Sequence, residues 1–307
     1  MISELRAGEK VHCAFLVRPQ KIGISSNGKA FARGLLEDAS GQIGFICFDG
    51  VSVDKIRAIE QPQPYIVSGA VDINKFATGE IKLQVVVQRI SAVMPDDDLS
   101  QLMPQGDFDV GFYKDQLKRY VDMITSPTLR VLVDKIFTGP LYDLFVKNPA
   151  GKNYHHAYIG GLLQHSVDVT RLAVAMAEAI GNVDKNLVLA GALLHDLGKL
   201  QEISPNYGFN YTDRGRLLGH IAISALLVQS QAEQLKMPAC ECEQLLHILL
   251  SHHGEHENGS PVACETKEAF IVHYADELDS VMNQFKPGQN ATWEFSKMLQ
   301  RFLLVKN

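Results

Sequence analysis

Seven residues able to bind a cation stand inside apolar, helix-periodic sequence: His165, His195, Asp196, His220, His252, His253 and Asp276. Imidazole and carboxylate are the ligand chemistry of Mn, Fe, Co, Ni and Zn. A cation would also answer the problem posed by LLHDLGKL (Leu193 to Leu200), where Asp196 follows an apolar run. A buried carboxylate costs several kcal/mol unless something partners it. Any one of these residues is ordinarily a hydrogen-bonded core group, and His195-Asp196 alone would serve equally as a structural pair or helix cap. The whole ordered set points to metal. Eight of the eleven histidines fall between His155 and His253. His12, His247 and His273 are read as structural. Adjacent residues on a helix point about 100° apart, so one of His252 and His253 is expected to reach a given cation, and the sequence leaves open which.

Such a set converges only if separate helices carry it. From residue 110 onward the chain is helical in pattern almost to its end, with breaks at Ser126-Pro127 and Gly139-Pro140. The tail TWEFSKMLQRFLLVKN is also read as an apolar helix, packed on the core or used for self-association. Residues 10–93 read instead as about five strands, with Asn27-Gly28 as one hairpin turn and 76–79 as another. Their length, spacing and one helical insert fit a small barrel of the OB type. The expected fold is therefore α+β and multidomain: an OB-like barrel over 1–95, a linker and helical extension over 96–150, and an all-α metal-binding domain over 151–307.

The bulk numbers agree with a folded enzyme-sized chain. It has 307 residues, 46% hydrophobic and 21% charged, with a net charge of −6. Residues 1–95 carry 11 Lys and Arg against 9 Asp and Glu, and the remainder 18 against 26. This excludes a protein coated throughout for nucleic acid but not a local basic surface. No membrane span or signal-peptide core is seen, so a cytoplasmic location is expected. Five cysteines, an odd number, argue against a disulfide framework. Cys240, Cys242 and Cys264 lack zinc-finger spacing and are read as reduced thiols.

The order His165, His195-Asp196, Asp276 resembles the H…HD…D signature of the HD superfamily of metal-dependent phosphohydrolases. Gly219-His220 and Ser251-His252-His253 resemble the subset that binds two metals, over about residues 150–285. With the barrel ahead of it, the layout resembles YhaM-type 3′-to-5′ exoribonucleases along nearly the whole chain. The resemblance implies one metal held by His165, His195, Asp196 and Asp276. Asp196 would bridge to a second, completed by His220 and His252, with or without His253. It implies two divalent cations, manganese first, with Co, Fe, Ni, Zn or Mg as alternatives.

Such a pair hydrolyses phosphodiesters without a side-chain nucleophile. Asp196, Lys199 and His156 are the expected catalytic residues. Lys199 is read as a phosphate contact or, equally, an exposed helix-end lysine. His155 and His156 would donate to the phosphate or the leaving oxygen. Arg214 and Arg216 are read as solvated surface. The barrel suggests a single-stranded RNA or DNA partner, met by Lys29, Phe31, Arg33 and Phe76. Phe15, Arg18, Lys21, Phe45, Phe48 and Lys75 are further candidates, some of whose phenylalanines must be core. Two other functions compete. One is an HD-type phosphohydrolase of small nucleotides, with the barrel as a regulatory or oligomerising module. The other is a non-catalytic single-strand-binding protein with a structural metal.

Overall fold

Alternation along the first strands turns one set of apolar side chains inward. Val11, Phe15 and Val17 come from β1 (Lys10–Ile24), Ala32 and Leu36 from β2 (Ala30–Asp38), and Ile43, Phe45 and Cys47 from β3 (Gly41–Cys47). Helix α1 (Gly50–Arg57), capped by Asp49 on the Ser52 amide, adds Val53 and Ile56. β4 (Gln63–Ile73) and β5 (Leu83–Ala92) complete a closed barrel in the order β1-β2-β3-β5-β4. All pairings are antiparallel except β3 with β5. The structure, a computed structural model, describes residues 1–74, 83–94, 97, 99–152, 156–204, 209–285 and 292–305. Lys75, Phe76, the turn expected at 76–79, and His155 lie outside the described residues.

The chain divides into two units, Met1–Gln105 and Gly106–Asn307. The helices expected to form an extension between domains are α2 (Val110–Asp122), α3 (Pro127–Ile136) and α4 (Pro140–Lys147). They belong to the core of the second unit, where Leu117, Leu129, Leu132 and Phe145 are buried. Each such side chain contributes roughly 1.5–3 kcal/mol of burial. Five longer or site-bearing helices follow: α5 (Gly161–Ile180), α6 (Lys185–Leu194), the single turn α7 (Lys199–Glu202), α8 (Asp213–Gln234) and α9 (Ala239–Ser251). The last helix is α10 (Lys267–Met282). Starts are set by side-chain caps: Asp184 for α6, Thr212 for α8 and Thr266 for α10.

The tail expected as a helix is instead an antiparallel hairpin of β6 (Thr292–Ser296) and β7 (Arg301–Val305). Thr, Trp, Phe and Val favour strands, and Gln300 takes a left-handed φ of 51° that suits the turn. No helix among the described residues is long and apolar enough to cross a membrane.

Two glycines decide where the metal-binding segments lie. A Cβ on Gly198 would stand 2.1 Å from the His220 carbonyl oxygen, so α8 can approach the LLHDLGKL turn only because position 198 is glycine. The Gly198 amide donates to Ser224 Oγ at 2.7 Å, and that hydroxyl donates to the His195 carbonyl at 2.9 Å. Gly219, with φ 71° and ψ 154°, breaks α8 just before His220. Gly198→Ala is therefore expected to destabilise the fold by about 1–3 kcal/mol through overpacking and to lose metal stoichiometry. Thermal denaturation and elemental analysis measure both, and an unchanged Tm with full metal content would contradict this packing.

Candidate metal centre

Every imidazole of the set is anchored through its Nδ1. His195 donates to the Ala192 carbonyl at 2.8 Å, His252 to Leu249 at 2.7 Å and His253 to Asn258 at 3.1 Å. His165 Nδ1 donates to Asp279 Oδ2 at 2.7 Å, and His220 Nδ1 to Glu202 Oε1 at 3.1 Å. Carbonyl and carboxylate oxygens only accept, so each Nδ1 carries a proton and Nε2 is the atom left for a cation, in His165 after loss of a second proton. Among the described residues three groupings have their ligand atoms within 4.8 Å of one another: His165, His195 and Asp276; His220, His252 and His253; and His156, His165 and Asp279, the last held together by hydrogen bonds to Asp279.

Asp196 stands between the first two. Its Oδ2 is 3.2 Å from His165 Nε2 and 3.5 Å from His195 Nε2. Its Oδ1 is 3.5 Å from His220 Nε2 and 3.8 Å from His252 Nε2. One carboxylate thus offers one oxygen to each group. Asp276 Oδ1 lies 3.2 Å from His165 Nε2 on the first side. Asp196 Oδ1, His220 Nε2 and His252 Nε2 are buried without a hydrogen-bond partner. Three orphaned polar atoms aimed into one space fit a cation and are costly without one.

The structure brings both His252 and His253 to the second group, where one was expected. His252 keeps helical dihedrals at the end of α9 (φ −63°, ψ −20°), so the two residues still diverge as helical neighbours do, and it is the reach of their rings that brings both to the group. The two rings lie 4.5 Å apart at 74°.

Lys199 is neither an exposed helix-end lysine nor remote: it is buried, with Nζ 2.6 Å from Asp196 Oδ2. It also lines an open cleft of about 260 Å³ over the metal ligands, shared with His252, His253, His273, Asp276 and Glu277. His156, expected as a donor to substrate, is enclosed at 2% exposure. Its Nδ1 bonds to Tyr158 Oη at 2.7 Å and its Nε2 to Asp279 Oδ2 at 2.9 Å. The structure therefore places it behind His165, supporting Asp279.

Asp279 and Glu202 are the functional residues that the sequence reading missed. Asp279 follows Asp276 by one helical turn, the spacing that puts both on one face of α10, and this was the available signal. Glu202 also accepts from the His220 amide at 3.0 Å, which caps the segment restarted after Gly219. Of the histidines set aside as structural, His247 Nε2 accepts from the Glu265 amide, while His273 holds the His252 carbonyl and lines the cleft.

Electrostatics follow burial and neighbours. Burial alone would raise Asp196, but Lys199, His195 and the bond from His165 hold it well below the carboxylate range. Burial would lower Lys199, and Asp196 outweighs it, so the ammonium is kept above its ordinary value. His165 is likewise penalised by burial yet raised well above 6.5 by Asp196, Asp276 and Asp279. His252 is pushed well below 6.5 by burial and by His195 and His253, and so is neutral.

Residues 162–281 match the HD domain family. The seven expected ligands, with Lys199, Glu202 and Asp279, all lie inside the matched residues, and His156 lies just ahead of them. Among solved structures, the chain is similar to the HD domain of the L. monocytogenes phosphodiesterase PgpH, at 20% identity over 50% of this chain and 77% of that one, with a TM-score of 0.34. It is also similar to asparaginyl-tRNA synthetase from Pyrococcus horikoshii in complex with asparaginyl-adenylate. That match has 12% identity over 78% of this chain and 60% of that one, with a TM-score of 0.23.

On the barrel, Lys29 and Arg33 are exposed, and the half-buried Phe31 ring is 6.3 Å from that of exposed Phe48. Phe15 and Phe45 are interior. Arg18 is paired with Glu37. The three cysteines considered for zinc join none of the metal-ligand groupings found among the described residues, and Cys264 Sγ donates to the Ser251 carbonyl.

Two predictions follow from this geometry. Asp279→Asn keeps the shape of the carboxylate but not its charge, and is expected to weaken metal binding about 10–100-fold. Equilibrium dialysis checks it, and unchanged affinity would contradict the orienting role. The second concerns pH. Metal-free His165 carries a proton below its raised pKa, and a cation must displace it, so affinity rises with pH. Neutral His252 has no proton to give. Calorimetry near pH 7 in buffers of different ionisation enthalpy should show net proton release on metal binding; proton uptake, or none, would contradict it.

Proposed function

We propose that the protein is a metal-dependent phosphodiesterase that shortens single-stranded RNA, or DNA, from its 3′ end. The observation that carries the hydrolytic reading is Asp196, one buried carboxylate offering an oxygen to each of two ligand groups, from which His252, His253 and Asp276 line an open cleft. When bound there, a pair of divalent cations supplies activated water and charge neutralisation for phosphodiester hydrolysis. Manganese is the first candidate, since imidazole-carboxylate sets suit it.

The chain's own residues perform three tasks. Asp279, Glu202 and backbone carbonyls fix the ring orientations, so little reorganisation accompanies reaction. Lys199 orients Asp196 and presents an ammonium to the cleft, where a phosphate oxygen would meet it. His273 holds the His252 carbonyl at the cleft wall, which keeps the second group in register.

A polymer substrate is supported by the barrel, which we read as OB-type. Arg33, Gln20 and Gln84 line a groove of about 300 Å³ on it, with exposed Lys29 and the Phe31–Phe48 pair as further candidates for single-strand contact. The 3′-to-5′ direction rests on the resemblance of the sequence layout to YhaM-type exonucleases. One observation favours the competing reading, a small-nucleotide phosphohydrolase: the cleft of about 260 Å³ is sized for one nucleotide unit at a time.

The test is a 5′-labelled single-stranded RNA incubated with the protein and Mn²⁺ and resolved on a sequencing gel. A ladder shortening from the 3′ end is expected, abolished by EDTA and by Asp196→Ala. A single internal cut would overturn the direction. Intact RNA and DNA alongside rapid hydrolysis of mononucleotides would favour the competing reading.

A further inference from the structure

Register in the C-terminal hairpin puts Trp293 opposite Leu304 and Phe295 opposite Phe302. Cross-strand partners share a face, as do alternate residues along a strand, so these four side chains form one side of the ribbon. That side is open: Trp293 is 67%, Phe302 63% and Phe295 49% exposed. The Phe295 and Phe302 rings meet edge to face, with centroids 5.2 Å apart. On the opposite side Leu303, Val305 and Ser296 are buried, while Thr292, Glu294 and Arg301 are exposed. A two-stranded hairpin is marginal by itself, and beyond the Phe295–Phe302 pair the aromatic surface left in water contributes little to it.

The tip of this hairpin lies at the catalytic cleft, because Met298 is part of the cleft wall. Lys297 and Arg301 flank the tip and are exposed. A molecule lying along the open side therefore runs toward the cleft past a tip that carries Lys297 in its turn and Arg301 on the other side of the ribbon. Aromatic faces combined with flanking cations are what a single-stranded nucleic acid stacks on, without regard to sequence.

We infer that the β6–β7 hairpin is a stacking platform, with Trp293, Phe295 and Phe302 receiving bases of a single strand whose end enters the metal cleft past Met298. This rests on the proposed polymer substrate and adds a contact surface within the catalytic unit, separate from the barrel. A second copy of the chain covering the same aromatic face is the competing occupant. The cationic tip at the cleft favours the polyanion.

Trp293 is the chain's single tryptophan, so its emission reports on this surface alone. The experiment titrates full-length protein in EDTA, where no cleavage occurs, with end-labelled oligouridylate. Label anisotropy and tryptophan emission are read together. Quenching that tracks occupancy is expected, with about tenfold weaker binding for Phe302→Ala and recovery in Phe302→Tyr, which restores a π face. Binding by anisotropy with unchanged emission would overturn the platform and leave the substrate assignment standing. Emission that depends on protein concentration without RNA, together with a dimer in sedimentation, would assign the face to a second copy and overturn it too. Absence of binding to any single strand would overturn both this inference and the polymer substrate.

Discussion

Asp196 is the constraint around which the helical unit is arranged. A carboxylate this deeply buried is tolerable only with compensation on both oxygens. Lys199, His165 and His195 face one oxygen, and His220 and His252 face the other. The first set supplies a formal cation at 2.6 Å, whereas the second leaves three polar atoms orphaned. That asymmetry makes the unpartnered side the more dependent on metal for its stability.

The fold spends several unusual features on meeting that constraint. Gly198 allows α8 to close on the His195-Asp196 turn, and Ser224 fastens the two backbones together. Gly219 restarts the helix so that Glu202 accepts from both the amide and the ring of His220. Asp279 does the corresponding work for His165, with His156 and Tyr158 behind it. Each ligand group thus has its own outer carboxylate, and ligand orientation is fixed before any cation arrives.

What was legible in the sequence follows from which residues stand out against their surroundings. His165 and His195-Asp196 were visible because strongly polar groups interrupt apolar helices. The five-stranded barrel was visible because its alternation and turn residues agree. Asp279 and Glu202 were not, since an acidic residue on a helix is ordinarily solvated surface, and only three-dimensional proximity to a ring nitrogen sets them apart. The pairing of His252 with His253 was hidden because the angle between helical neighbours says nothing of how far their rings reach. The terminal hairpin was misread because its apolar residues satisfy helical spacing as well as alternation, and strand pairing between Trp293 and Leu304 decides the matter. His156 was read as a substrate contact because its position ahead of the first ligand helix says nothing of the Asp279 carboxylate that receives it.

The central claim is that one carboxylate joins two metal positions. Electron paramagnetic resonance of the protein loaded with Mn²⁺ tests it most directly. A bridged pair predicts a spin-coupled spectrum at full loading, and Asp196→Asn should reduce it to signals of uncoupled ions. Isolated-ion signals from the fully loaded wild-type protein would contradict the account.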